Sequence, residues 1–286
     1  MYGLLALIGT SIWRKQLKIR YEVWFVIHGL VALFVVLAAI VHIFIMGRYT
    51  STPLLKTLWL IYTVLIIYLI AWHRIIKPMI NWNHKWEVVE NRQERGEAHT
   101  LVLKPVGHEG FSFQPGQFSW LKAGRMPFGP GAHPISMSSN GDVEPGGTVK
   151  FTIKSLGDWS GKEVPAFQPG DTLWLDGPHG VFSMDREQAM GYVFVGGGVG
   201  ITPLYAMLQT MVTREDVRPV VLFYGSHTAE SLTFREELDA LEEQMNLKVV
   251  YVLSHPEEGW TGETGYINGE VMQRSLPKQY KHLSLI

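Results

Sequence analysis

From Val23 to Met46 the chain runs 24 residues without a charged side chain, and only His28 and His42 interrupt its apolar character. A helix of about 20 such residues crosses a bilayer, and no ordinary soluble domain needs one so bare of charge. A second apolar run, Leu54 to Trp72, follows, with Lys56 near one end, where its long side chain reaches the interface. Arg14, Lys15, Lys18 and Arg20 precede the first run, Arg74 and Lys77 follow the second, and the linker Gly47–Pro53 carries only Arg48. The excess of cations on the outer flanks predicts that both face the cytoplasm, and Trp24 and Trp72 stand where an interfacial aromatic belt belongs. The first residues, MYGLLALIG, are too short to span and lack the basic start of a secretory signal. The expectation is a membrane segment over 1–78 with two spans, 22–46 and 54–76, in contact with lipid at the cell membrane.

The rest of the chain reads differently. Charged residues are 18% of the whole, against about 25% in soluble domains, and the deficit lies between residues 23 and 73. A net charge of −1 gives no basic field for nucleic acid. The absence of cysteine excludes disulfides, cysteine-ligated iron–sulfur clusters and thiolate zinc sites. Histidine remains as a metal ligand. His28 and His42 are 14 residues apart, which is about 21 Å of helix rise on one face. Ionisable residues inside a bilayer are functional by default, and neutral imidazole is an axial ligand of haem iron. The pair therefore predicts two b-type haems, one in each half of the bilayer. The alternative is a pair of polar histidines bonded to neighbouring helices. Bis-histidine ligation needs a second helix with two more histidines, and His73 reads as an interfacial residue.

Beyond Pro78 the predicted fold class is an antiparallel β-barrel over 82–186 followed by a parallel α/β nucleotide-binding domain over 190–286. Trp86–Val89, Thr100–Leu103, Phe118–Leu121, Val149–Lys154 and Thr172–Leu175 are short β-rich runs between Gly/Pro turns, with Pro-Gly at Pro115–Gly116 and Pro169–Gly170. Within them lie three motifs: HPISMSSN (His133–Asn140), IKSLGDWSGK (Ile153–Lys162) and DGPHG (Asp176–Gly180). Further on, YVFVGGGVGITPLYAML (Tyr192–Leu208) reads as a buried strand, a glycine loop and a helix. Gly196, Gly197, Gly198 and Gly200 let a phosphate approach main-chain N–H groups at a helix N-terminus. Thr202 is placed to cap that helix and Pro203 to occupy its first turn.

In this order and spacing the motifs resemble the ferredoxin–NADP reductase superfamily, most closely its NADPH oxidase and ferric reductase branch of transmembrane flavocytochromes. The resemblance implies FAD and NAD(P)H as cofactors. It places His133 and Pro134 near the FAD pyrophosphate or ribityl chain, Ile135 against the isoalloxazine, and Ser136, the catalytic candidate, near flavin N5. Ser139 falls in the same motif, and Ile135 stands where the family usually has an aromatic residue. Lys154, Gly157 and Ser160 correspond to the segment that wraps the FAD diphosphate. Gly225 and Ser226 fall where the family binds the adenosine ribose. His227 occupies the place where NADPH-specific relatives often carry Arg, and Arg235 is the other candidate cation, or else a helix i,i+4 partner. The choice between NADPH and NADH stays open. The family continues past YKHLSLI with a Cys-Gly-Pro strand and begins with further helices, so the resemblance implies a chain shortened at both ends.

The function implied is electron transfer from NAD(P)H through FAD and two haems to oxygen or a ferric chelate outside. The alternative is a membrane-anchored flavin reductase without haem that serves a cytoplasmic acceptor protein. A third reading is a subunit that binds nucleotide without turnover.

Overall fold

The computed structural model describes residues 2–14, 16–19, 21–124, 127, 131–187, 189–276 and 283–286. Lys15 and Arg20 of the basic flank, and Tyr280–His282 of the last stretch, lie outside the described residues. The chain divides into two compact units, with the boundary between Trp82 and Asn83.

The first unit is helical: α1 (Tyr2–Trp13), α2 (Tyr21–Met46) and α3 (Pro53–Ala71), the last continuing through a π-helical turn, Trp72–Ile76, into α4 (Lys77–Asn81). Thr52 starts α3 by accepting the Leu55 N–H at 3.3 Å, and Pro53 takes the first turn, where its missing N–H costs nothing. The helix ends later than the expected residue 76 because the π turn absorbs an extra residue instead of breaking the ladder. Val23–Met46 and Pro53–Asn81 are long and apolar enough to cross a membrane, by length and composition, and none of their most apolar stretches is buried. Arg14 lies over the Trp24 ring at 6.0 Å and Arg74 over the Phe25 ring at 5.4 Å. Arg14 and Arg74 therefore lie against neighbouring residues at the same end of α2.

The second unit begins with a six-stranded sheet: β1 (Lys85–Glu94), β2 (Ala98–Val106), β3 (Phe118–Ala123), β4 (Ala132–Ser136), β5 (Val149–Lys154) and β6 (Thr172–His179), in the order β4-β3-β6-β1-β2-β5. β1 pairs antiparallel with β2 and β6, β2 with β5, and β3 with β6. Met137, just past β4, bridges antiparallel to Phe151 on β5 and closes the sheet on itself. Trp86, Leu101, Leu103, Leu121, Phe151 and Leu173 fill the inside, fully buried. Each contributes about 1.5–3 kcal/mol of hydrophobic stabilisation. β4 is the HPIS motif itself and was not among the five expected strands. Pro134 argues against a strand in sequence, yet it is tolerated at the end of the sheet order, where a missing N–H breaks no ladder.

The second sheet holds β7 (Tyr192–Gly197), β8 (Val220–Ser226), β9 (Leu247–Leu253), β10 (Glu263–Thr264) and β11 (Ser284–Leu285), in the order β10-β9-β8-β7-β11, every pair parallel. Alternate residues serve opposite faces. Tyr192, Phe194, Leu222 and Tyr224 pack with α5 (Ile201–Thr213) and α6 (Arg235–Gln244), while Val193, Val221, Phe223 and Val252 pack with α7 (Gly269–Ser275). Burial on both faces explains why these strands read as continuous apolar runs.

Candidate functional site

A cleft of about 410 Å³ runs between the barrel and the start of α5. Its barrel wall is His133, Pro134, Ile135 and Ser136 from β4, Thr152–Lys154 from β5, and Leu156, Trp159 and Ser160 from the turn that follows. Its other wall is Val199, Gly200, Thr202 and Pro203. Of the residues that the sequence assigned to flavin, His133–Ser136, Lys154 and Ser160 line this space together with Gly200, Thr202 and Pro203 of the set assigned to nicotinamide.

The barrel wall is built from side chains. The His133 imidazole stacks on the Trp159 indole, centroids 3.8 Å apart and planes 13° from parallel. The Trp159 N–H is buried without a partner, so an acceptor on a ligand there removes a cost of about 1–3 kcal/mol. Ile135 packs against the barrel core from the cleft side. No hydrogen bond involves the Ser136 hydroxyl among the described residues, nor does any ion pair involve Lys154. A donor, a cation, an aliphatic platform and an unpartnered indole N–H are a donor set that fits FAD. Ser139 stands apart from the cleft, whereas Ser160, although it lines it, and Gly157 serve the turn that follows β5. Ser139 is buried and its hydroxyl accepts the Lys150 N–H at 3.1 Å, so it stabilises the barrel instead of lining the cleft. Ser160 accepts the Leu156 and Gly157 N–H groups at 2.9 and 3.1 Å, so it and Gly157 first shape their own turn.

The other wall is backbone. A Cβ added at Gly197, Gly198 or Gly200 would meet nothing within 4 Å, and Gly198 has φ +53°. These positions leave open approach to the N–H groups at the start of α5. Gly196 has another role: a Cβ there would stand 3.0 Å from Leu204 Cδ1, so this glycine lets α5 pack onto β7. Thr202 is not the cap. The helix starts from Gly200, and the Thr202 hydroxyl, in the first turn, donates to the Val199 carbonyl at 2.8 Å. The cap is missed because glycine offers no side-chain signal, and it leaves the first N–H groups of α5 to a ligand.

Two seams fix the walls relative to each other. In one, Gly141 N–H donates to Thr210 Oγ1 (2.9 Å), Asn140 Nδ2 donates to Thr213 Oγ1 (2.7 Å), and Arg214 clamps Asp142 (2.7 and 2.8 Å) and Asp185 (2.5 and 3.2 Å). The Arg214 hydrogen bond holds the Asp142 carboxyl below its ordinary value, and the two carboxylates push the guanidinium further up. In the other seam, Arg95 pairs with Glu236 and donates to the Ala229 carbonyl at 3.2 Å. Apart from Asn140, the last residue of HPISMSSN, none of these residues belongs to a motif, which is why the sequence does not reveal them.

Beyond β8 the arrangement differs from expectation. Ser226 turns inward, its Oγ 2.7 Å from Ser231 Oγ, and a Cβ at Gly225 would meet Ile267 Cδ1 at 3.2 Å. Arg235 is the i,i+4 partner of Asp239 (3.3 Å) and lies over the rings of Tyr251 (4.5 Å) and Trp260 (5.6 Å). His227 Nδ1 lies 3.0 Å from Ser254 Oγ, which is also 3.0 Å from His255 Nδ1. Ser254 and His255 follow β9 and carry no sequence signal of their own.

In the helical unit, His28 Nδ1 lies 3.4 Å from Ser11 Oγ on α1, and its ring is 4.7 Å from Trp24. That is the polar contact between neighbouring helices that the sequence allowed as the alternative to haem. Among the described residues no group of three or more His, Cys, Asp or Glu could hold a metal ion.

Comparison with known proteins agrees with this geometry. Residues 194–286 match the family model of the oxidoreductase NAD-binding domain. The chain is 36% identical over 140 residues to NADH-cytochrome b5 reductase 2 of Scheffersomyces stipitis, covering 48% of this chain and 47% of that protein. It is 32% identical to the plasma membrane-associated coenzyme Q6 reductase of Saccharomyces cerevisiae, over 46% of this chain and 43% of that one. The chain thus spans about half the length of the curated relatives it matches. Among solved structures, the flavohem-like FAD/NAD-binding domain of nitric oxide dioxygenase from Vibrio cholerae O1 biovar El Tor superposes with a TM-score of 0.61 at 20% identity, over 71% of this chain and 86% of that one. The ferredoxin reductase of carbazole 1,9a-dioxygenase gives 0.57 at 27% identity, over 66% and 56%. The sheet-bearing unit therefore has the fold of the ferredoxin–NADP reductase superfamily. The narrower resemblance to NADPH oxidases and ferric reductases is carried by sequence motifs alone.

Proposed function

We propose that this chain is an NAD(P)H-dependent flavin reductase, anchored to a membrane by its apolar helices, that passes electrons to an acceptor protein on the cytoplasmic face. One observation carries this reading: Ser136 and Ile135 share a single cleft with Gly200, Thr202 and Pro203. FAD held there by His133, Ile135, Ser136 and Lys154 would supply the conversion of a two-electron hydride into single electrons. The chain's own residues bind and orient. Trp159 and His133 supply a stacked aromatic wall, and Lys154 balances diphosphate charge. The uncapped start of α5 receives the nucleotide pyrophosphate. Ile135 and Leu156 keep water from the reacting atoms, and the Ser136 hydroxyl holds a hydrogen bond beside them. No side chain is required as a general base. The anchor is argued from two exposed apolar helices, with Arg14 and Arg74 at the same end of α2 and lipid as their partner.

The test is purification in detergent with a one-electron acceptor such as ferricyanide. A yellow protein that consumes NADH or NADPH with the acceptor supports the reading. A protein that retains no flavin and oxidises neither nucleotide refutes it.

Electron transfer through haem to oxygen or ferric iron outside is the second reading. His28 and His42 supply one ligand at each level of α2, but α1, α3 and α4 carry no histidine to complete either pair. These residues alone supply one ligand per haem, and the cytoplasmic route is preferred because it asks for no further ligand. A low-spin haem band in the purified protein would reverse that preference.

A further inference from the structure

We infer that the tip of the β1–β2 hairpin, Arg95–Glu97, and the stacked rings of Phe234 and Tyr205 form a strut that sets the width of the cleft, and so the distance between flavin and nicotinamide. The inference rests on the reductase reading above. Phe234, the residue before α6, is buried and has φ +62° and ψ 26°. A bulky side chain reaches that left-handed conformation at a cost, and it persists where the surroundings over-determine it. Here they do. Thr233, just before it, donates its N–H to the Tyr224 hydroxyl at 3.0 Å and its own hydroxyl to the Arg95 carbonyl at 3.3 Å. The Phe234 carbonyl accepts the Leu238 N–H at 2.9 Å and so opens α6. Its ring stacks on Tyr205 of α5, centroids 4.1 Å apart and planes 16° from parallel.

From there the contacts reach both walls. Tyr205 follows Thr202 and Pro203, which line the cleft, within the first turns of α5. At the other end the Glu97 carbonyl accepts the Ser155 N–H at 2.9 Å, and Ser155 lies between Lys154 and Leu156 of the barrel wall. Between them Gly96 sits tight on the loop before α6: at φ +71°, an added Cβ would stand 2.8 Å from the Ser231 carbonyl oxygen. Arg95 also pairs with Glu236 and donates to the Ala229 carbonyl. The contacts of Glu97, Gly96 and Thr233 use main chain or a short side chain, so no long rotamer can absorb a displacement. Hydride transfer needs its reacting atoms about 3–3.5 Å apart, and a misplacement of about 1 Å can cost a hundredfold in rate. Gly96, Tyr205 and Phe234 do not line the cleft, so they are positioning residues. Burial pushes the Tyr205 hydroxyl up to about 12, so it serves as a neutral ring and not as a base.

Anaerobic rapid mixing of the flavin-loaded full chain with saturating NADH or NADPH reads the rate constant of hydride transfer. Loss of folded protein lowers the amplitude of flavin bleaching and leaves that constant alone. Gly96→Ala and Tyr205→Leu should each slow it about ten- to a hundredfold, with flavin content and nucleotide affinity unchanged. Tyr205→Phe, which keeps the ring, should match the unmodified chain. The double variant Gly96→Ala/Tyr205→Leu should be little slower than the slower single variant, because both changes break one strut. A rate constant unchanged in both single variants overturns the inference. So does Tyr205→Phe as slow as Tyr205→Leu, a loss of nucleotide affinity as large as the loss of rate, or effects that multiply in the double variant. If Gly96→Ala yields no folded protein, the two Tyr205 variants decide. An unmodified, flavin-loaded chain that takes no hydride from either nucleotide overturns the reductase reading, and this inference with it.

Discussion

The two walls of the cleft recognise in different ways. The α5 wall is made of main chain: Gly197, Gly198 and Gly200 present N–H groups with nothing above them. The barrel wall is made of side chains drawn from β4, β5 and the turn at Trp159. A wall of main chain tolerates no added atoms, because its ligand occupies the space a Cβ would take. A wall of side chains loses one interaction at a time. The difference predicts a hierarchy of effects.

Gly198→Val should be the most damaging change. It places a β-branched residue at φ +53°, a strain of about 1–3 kcal/mol, and fills the approach to α5. NAD(P)H binding should weaken about a hundredfold or more with flavin content unchanged, as read by nucleotide titration of the flavin-loaded protein. Equal losses of flavin and nucleotide would break the distinction between the walls. Ser136→Ala should slow flavin reduction about tenfold, the worth of one hydrogen bond, with nucleotide affinity little changed in rapid-mixing kinetics. Gly196→Ala sharpens the comparison within the glycine loop. Its Cβ meets Leu204, so it should cost about 1–3 kcal/mol of stability in denaturant unfolding and spare nucleotide binding per folded molecule.

The smallest effect concerns the Arg214 seam. Arg214 lowers the Asp142 pKa from its ordinary 3.8, so the stabilisation is complete above pH 4 and is lost as pH falls through the lowered value. Side chains of Arg214 and Asp142 are 35% and 40% exposed, so screening limits the contribution to about 1 kcal/mol or less. Arg214→Gln should remove that acid dependence. An unfolding free energy that changes equally with pH in both proteins would show that the clamp contributes nothing.

What the sequence reveals follows the same division. GGGVGITP stands out because a main-chain wall open to approach is written in glycine. The parallel strands are legible because burial on both faces leaves continuous apolar runs. Side-chain partnerships are less legible, whether the partner is near or far along the chain. Ser226 finds Ser231 within its loop, Ser139 finds Lys150 across the barrel, and Trp159 finds His133. Arg214 joins Asp142 and Asp185 across 72 and 29 positions, and no local pattern announces it. His133–Ser136 is a strand despite Pro134, because its place at the end of the sheet order removes the cost that proline carries in mid-sheet. Apolar content alone separates the two units. Phe34 and Leu54, at 70% and 80% exposed, are as hydrophobic as Phe194 and Leu222, at 0%, and the charge-free length of their runs is what sets them apart.

The central claim is that nicotinamide and flavin meet in the cleft between β4 and α5. The most direct measurement is anaerobic rapid mixing of the flavin-loaded chain with NADH deuterated at the transferred position of C4. The account predicts bleaching of the flavin band in a single phase that deuterium slows measurably, because hydride passes directly between the two rings. Flavin and nucleotide that both bind, yet show no bleaching with excess NADH or NADPH, would contradict it.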